Sequence, residues 1–146
     1  MAELQSNALE TGSTNDTRQT LHEALHVVER HTGLTDEAQA LTALRTVAEG
    51  LVQRLTAAEG TDLIAQLPSA LHAPLLEAPA GPNEQLSAER IRDMLAERLA
   101  MQPAEASELL RAVARALGDL VSADEMREML AHLPRDLREA LRAHRA

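Results

Sequence analysis

The stretch LIAQLPSAL, at residues 63–71, recurs as MLAHLPRDL at residues 129–137, 66 positions further along the chain. In both copies a Leu-Pro pair is followed by a leucine three residues after the proline. Proline cannot continue a helix, because it lacks the N–H donor and clashes with the preceding turn, but it suits the first turn of a new helix. Each copy therefore predicts a break between two short helices.

A second pair of signals stands twelve residues before each proline. Thr56-Ala-Ala-Glu59 and Ser122-Ala-Asp-Glu125 are both capping-box patterns, in which the hydroxyl and the carboxylate each satisfy a backbone N–H at a helix start. Laying residues 38–71 on 104–137 without a gap gives thirteen identities in 34 positions. We interpret this coincidence of signals at one offset as an internal duplication.

Apolar residues recur at helical spacing in both halves, and no run of alternating β-branched residues predicts a strand. The pattern predicts helices over about 17–32 and 86–100, with Pro103 in the first turn of a further helix. A four-helix unit of this size is marginal alone, so two units are expected to bury each other's apolar faces. The predicted fold is all-α, with two pseudo-symmetric four-helix repeats, about eight helices, packed as one compact bundle-like domain.

The predicted organisation has four segments. Residues 1–16 mix small polar and acidic residues and are expected to form a disordered acidic tail. Residues 17–77 form the first helical repeat, 78–85 a Pro/Gly linker, and 86–146 the second repeat. Both repeats belong to one structural domain.

Composition excludes several classes of function. The 146 residues carry a net charge of −9, and they include no Phe, Tyr, Trp or Cys. Nucleic acid is an unlikely partner, because counterion release needs a basic surface and base stacking needs aromatic side chains. Disulfides, thiolate nucleophiles and Cys-ligated zinc are ruled out. No signal peptide or membrane span is recognisable, so a cytoplasmic location is predicted.

The C-terminal stretch RDLREALRAHRA, at residues 135–146, is locally basic, with four Arg against Asp136 and Glu139. The simpler interpretation is a helix end whose cations match the negative end of the helix dipole. Binding of an anionic partner by these arginines is the alternative.

His22-Glu23-Ala24-Leu25-His26 matches H-E-x-x-H, which in zinc peptidases places two imidazoles on one helix face with the Glu as general base. Such a site also needs a third ligand, for which Glu49 or Asp62 are possible but not selected by any pattern. The favoured interpretation is that both histidines flank an apolar stripe as half-exposed polar residues. No catalytic or cofactor-binding residue, no cofactor and no metal site is predicted, and His22 and His26 would be the first candidates for metal ligands.

Short pieces of both halves carry a family resemblance: ERHTGL at 29–34, ALRTV at 43–47 and IAQLP at 64–68, with LRAV at 110–113 and LAHLP at 130–134. They resemble a bacterial family of unknown function, number 2267 among domains of unknown function. The resemblance covers residues 18–143 and implies tandem helical repeats in this order. It departs where that family often has aromatic residues, at Leu75 and Leu76. No activity comes with it.

The favoured function is therefore a non-enzymatic helical module that binds another protein, or a second copy of itself, through a groove or an exposed Leu/Met face. A metal-dependent hydrolase built on His22, Glu23 and His26 is the first alternative. A regulator that binds an anionic partner through the C-terminal arginines is the second.

Overall fold

The computed structural model describes residues 21–142. The predicted tail at 1–16 and the predicted start of the first helix at 17–20 lie outside this range. Within it the all-α prediction is confirmed, since the described chain contains eight α-helices and no strand. A short 3₁₀ turn, Ser69–Leu71, precedes the fourth helix. The helices are α1 (21–32), α2 (Glu37–Arg54), α3 (Ala57–Gln66), α4 (His72–Leu76), α5 (Ala88–Leu99), α6 (Pro103–Leu120), α7 (Ala123–His132) and α8 (Arg135–Arg142).

The second and third helices of each half match in length. Helices α2 and α6 each have 18 residues, and α3 and α7 each have 10. Both pairs begin 66 positions apart, at the offset of the repeated Leu-Pro pairs. The two prolines also lie alike, since Pro68 directly precedes the 3₁₀ turn and Pro134 directly precedes α8. Each proline carbonyl accepts a backbone N–H from the next element, from Leu71 at 2.9 Å and Arg138 at 2.9 Å.

Side-chain caps account for where several helices start. Asp36 accepts the N–H of Ala38 at 2.9 Å and starts α2. Ser87 accepts the N–H of Arg90 at 3.1 Å and starts α5, two residues later than the predicted 86. Such caps satisfy backbone donors that have no partner inside the helix. Leu86 therefore lies before the helix, where it is buried.

The two halves share one core of aliphatic side chains that runs from Leu25 to Leu141. Helix α2 lies at its centre and contacts α3, α5 and α6, so first-half and second-half helices pack directly on each other. The largest fully buried side chains come from both halves, among them Leu44, Leu51, Leu95 and Leu117. With no aromatic residue in the chain, close approach of backbones and aliphatic packing must provide the burial.

Gly50 allows α5 to approach α2 closely. A Cβ at this position would lie 2.5 Å from Cγ1 and 2.6 Å from Cδ1 of Ile91, whose side chain is fully buried. Glycine is therefore required here by the packing of two helices rather than by a turn. The same pair of helices is tied by a polar contact, because Arg98 on α5 donates to Glu49 at 2.6 Å and to the buried Thr46 at 3.1 Å.

The predicted linker at 78–85 is held against the end of α2. Asn83 donates its backbone N–H to the carbonyl oxygen of Gln53 at 2.7 Å. A further contact between the halves comes from His31 on α1, whose Nε2 lies 2.8 Å from Oδ2 of Asp119 on α6. No helix within residues 21–142 is both long and apolar enough to cross a bilayer.

Candidate functional site

His22 and His26 lie one turn apart on the exposed side of α1. Their ring centroids are 6.2 Å apart, and the rings are inclined by 27°. Each imidazole contacts a different carboxylate. The Nδ1 atom of His22 is 3.1 Å from Oε2 of Glu37, and Nδ1 of His26 is 3.6 Å from Oε1 of Glu29. The two rings are thus neighbours that do not converge on a common ligand position in this arrangement.

The other residues that could complete an H-E-x-x-H site lie elsewhere. Glu23 is exposed, and Glu49 is engaged by Arg98 at 2.6 Å. Asp62 lies on α3, with its carboxylate near Glu125 and Glu128 of α7. Of the side chains described between residues 21 and 142, these three acids are the only group of three potential metal ligands within 4.8 Å of one another. Among residues 21–142, neither His22 nor His26 belongs to a group with two further potential ligands.

Four acidic residues gather at the junction between α3 and α7. Glu59 and Asp62 lie on α3, and Glu125 and Glu128 lie on α7. The two pairs are related by the offset of 66 residues, since Glu59 corresponds to Glu125 and Asp62 to Glu128. Because α3 and α7 belong to different halves, this acidic junction exists only when the halves are packed together.

Glu59 and Glu125 occupy equivalent positions but have different partners. Glu59 closes the predicted capping box, accepting the N–H of Thr56 at 3.2 Å, and its other oxygen lies 2.6 Å from Nδ1 of His132. The predicted box of the second half forms only partly. The Ser122 hydroxyl accepts the N–H of Glu125 at 3.1 Å, but the N–H of Ser122 donates to Gln66 across the junction at 3.0 Å.

The carboxylate of Glu125 is therefore left without its expected partner. Its residue is only 8% exposed, and no hydrogen bond or ion pair to this carboxylate occurs within the described part of the chain. Burial raises the pKa of Glu125 above its ordinary value of 4.5, and the negative charges of Asp62, Glu128 and Glu59 raise it further. A buried carboxylate surrounded by like charges is costly to ionise, which makes it a candidate functional group.

Sequence reasoning missed this cluster because it assigned Glu125 to the helix cap alone. One signal was present: an acid at i and another at i+3 recur in both halves at the offset of the duplication. Residues three apart share one face of a helix. The pattern did not indicate that these faces of α3 and α7 are in contact.

The C-terminal arginines contribute to a second polar feature, although Arg145 of the predicted basic stretch lies outside the described residues. Arg127 on α7 and Arg138 and Arg142 on α8 line a groove of about 600 Å³, whose remaining lining is apolar: Ala123, Leu130 and Ala131. Arg127 also contacts Asp124 one turn earlier. Arg138 and Arg142 have no acidic partner among the described residues. Arg135, by contrast, is engaged by Glu139 at 3.0 Å and is not part of the groove.

An extended Leu/Met face, one of the two surfaces expected for an interaction module, is not found on the described surface. Among the large apolar side chains of residues 21–142, only Leu76 is exposed, at 62%. Its neighbour Leu75 is fully buried. The arginine groove is thus the stronger candidate for a contact with a partner.

Comparison with known proteins matches one family model. The model of an uncharacterized conserved protein, DUF2267, matches residues 21–140. No curated protein matches the chain.

Proposed function

We propose that this chain, which belongs to the DUF2267 family of uncharacterized conserved proteins, is a non-enzymatic helical module that binds an acidic segment of another protein. The single observation that carries the proposal is the groove between α7 and α8, with three arginines above an apolar floor. Arginine is one of the residue types that protein interfaces favour at their energetic centres, and the apolar lining adds surface that a partner can bury.

Charge supports an acidic partner. The chain as a whole carries −9, whereas Arg138 and Arg142 have no acidic partner among the described residues, so their positive charge contrasts with the rest of the protein. Such a contrast orients an approaching anionic segment and disfavours other surfaces of this protein as docking sites. Arg138 and Arg142 lie one turn apart on α8 and can bind two carboxylates that are similarly spaced on a partner helix.

The apolar floor supports a protein rather than a nucleic acid. Leu130 and the two alanines offer burial for an aliphatic anchor on the partner, which a phosphate backbone does not have. The net charge of −9 repels a long, densely charged nucleic acid more strongly than a short acidic segment, and the chain has no aromatic side chain on which bases could stack.

A catalytic role has less support from the geometry. The strongest candidate, His22-Glu23-His26, has its two imidazoles directed at separate carboxylates. We also propose that the two halves are repeats of one unit. The support is that α2 matches α6, and α3 matches α7, in length and in the offset of 66 residues.

The test uses the full chain as bait in extract of the producing organism, with bound proteins identified by mass spectrometry. Arg138→Glu with Arg142→Glu reverses the groove, and Arg30→Glu with Arg90→Glu is the control, since both control residues are exposed and outside the groove. We expect a partner with an acidic segment that the wild type and the control retain and the groove variant loses. Identical recovery by all three proteins would contradict the assignment of the groove.

A direct measurement then uses a fluorescent peptide that copies the acidic segment of the recovered partner. The groove variant should weaken binding by about tenfold or more, equivalent to about 1.4 kcal/mol, and added salt should weaken binding to the wild type. Nuclease-sensitive recovery would favour a nucleic acid instead. A dimer in size-exclusion chromatography with light scattering that the groove variant dissociates would favour self-association.

A further inference from the structure

We propose that Asp62, Glu125 and Glu128 form a binding site for a hard divalent cation, best suited to Ca²⁺, at the junction between α3 and α7. The site is separate from the arginine groove and independent of the proposed interaction function. It lies where the two halves of the chain meet, with one ligand from the first half and two from the second.

The geometry fits a cation held by oxygen atoms. One carboxylate oxygen from each of the three acids lies within 4.8 Å of the others. Calcium–oxygen distances of about 2.3 to 2.6 Å place ligands on opposite sides of the ion roughly 4.6 to 5.2 Å apart. Three oxygens that all lie within 4.8 Å of one another can therefore contact one Ca²⁺ together. Mg²⁺ is less suited, because it demands a near-ideal octahedron and gives up its water reluctantly, whereas Ca²⁺ accepts irregular sets of six to eight oxygens completed by water.

Burial of Glu125 provides the second, independent indication of a ligand. Its residue is 92% buried, since only 8% is exposed, and its carboxylate is directed into the group formed with Asp62 and Glu128. No donor within the described residues satisfies it. A carboxylate that is removed from most of its water, with no hydrogen bond or counter-charge from the protein, is unfavourable to ionise, and a bound cation would offset this cost.

The neighbouring groups leave the three acids uncompensated. Glu59, the fourth acid of the junction, already contacts His132 at 2.6 Å and accepts the N–H of Thr56. Ser122 directs its N–H to Gln66 rather than to Glu125. A cation would reverse both causes of the raised pKa of Glu125, because it supplies a counter-charge and coordinates the buried oxygen.

The donor set selects the class of metal. Carboxylate oxygens suit hard ions such as Ca²⁺, Mn²⁺ and Mg²⁺, whereas Zn²⁺ and Cu²⁺ are favoured by imidazole and thiolate. His132 is engaged by Glu59, and the chain contains no cysteine. Because the ligands come from α3 and α7, binding would tie the two halves together and stabilise the folded chain by linkage.

The experiment adds CaCl₂, MnCl₂ or MgCl₂ alone to the full chain and compares each with NaCl of the same ionic strength. Thermal unfolding is followed by circular dichroism, because the chain has no aromatic fluorophore. Stoichiometry and Kd come from calorimetric titration. The variants are Glu125→Gln and Asp62→Asn, and the control is Glu97→Gln, an exposed acid on α5 outside the junction.

We expect one cation per chain, a rise in Tm that is larger for Ca²⁺ than for Mg²⁺, and an unchanged response in Glu97→Gln. Glu125→Gln and Asp62→Asn should each raise the Kd for the cation at least about tenfold, because loss of a residue that only supports a metal ligand already weakens binding by about that factor. A Tm increase no larger than that in NaCl, or one that both junction variants retain, would overturn the proposal. Since the two variants neutralise charge without changing shape, loss of folding is not expected to obscure the result.

Discussion

The N–H of Ser122 donates to Oε1 of Gln66 at 3.0 Å, across the junction between the halves, and so takes the place that the Glu125 carboxylate would have in a complete capping box. In the first half the equivalent Glu59 does accept the N–H of Thr56. The same tetrapeptide pattern therefore produces two different electrostatic environments. This difference leads to opposite expectations for equivalent substitutions.

Glu125→Gln is expected to stabilise the protein at neutral pH in buffer that contains a chelator. The folded state raises the pKa of Glu125, so it binds the proton more tightly than the unfolded chain does. The stability linked to this proton is fully present below the ordinary pKa of 4.5 and is lost as the pH rises through the raised value. The gain from Glu125→Gln should thus appear above that window and vanish below it. Chemical unfolding as a function of pH measures it, and an equal gain at all pH values would contradict the assigned cause.

Glu59→Gln is expected to have the opposite sign at neutral pH. It weakens the capping interaction with Thr56 and removes the charge facing His132, which together contribute about 1 kcal/mol because both groups are partly exposed. Urea unfolding of the two variants side by side gives the comparison. Equal signs for Glu59→Gln and Glu125→Gln would show that the two positions are electrostatically alike.

Gly50→Ala is expected to destabilise the protein although alanine is the better helix former. The helix-propensity gain is about 1 kcal/mol, whereas overpacking in a close-packed core costs about 1 to 3 kcal/mol. The stiff, fully buried Ile91 must move, because its Cγ1 would lie 2.5 Å from the new Cβ. Urea unfolding measures the effect.

The matched double variant with Ile91→Ala tests the cause, because it removes both Cγ1 and Cδ1, the two atoms that the new Cβ would meet. The cost of Gly50→Ala should be smaller in that background. Additive effects of the two substitutions would show that Gly50 and Ile91 do not crowd each other.

Ala100→Gly is expected to stabilise the protein by up to about 1 kcal/mol. Ala100 ends α5 in the left-handed region, at φ 52°, where a Cβ is strained and glycine is not. The greater flexibility of glycine in the unfolded chain offsets part of the gain. Ala65→Gly, at an exposed helical position of α3, should instead lower the free energy of unfolding. Thermal unfolding should therefore show a higher Tm for Ala100→Gly and a lower Tm for Ala65→Gly than for the wild type.

Local signals predicted much of the fold. The first capping box, the prolines at 68 and 134 and the apolar periodicity placed the breaks around α3 and α7, because these effects act within a few residues of the chain. The predicted start at 86 was two residues early, since a buried Leu86 looks helical by hydrophobicity while Ser87 is the cap.

By itself, the sequence determined the helices of this protein and the equal spacing of its halves, because hydrophobic period, caps and prolines are short-range properties. Only the tertiary structure decided that Asp62, Glu125 and Glu128 meet, that Gln66 displaces Glu125 from its cap, and that Arg127 joins Arg138 and Arg142 along one groove. Each of these contacts joins side chains of different helices. Their positions follow from the packing of the helices around the shared aliphatic core, which no local pattern encodes.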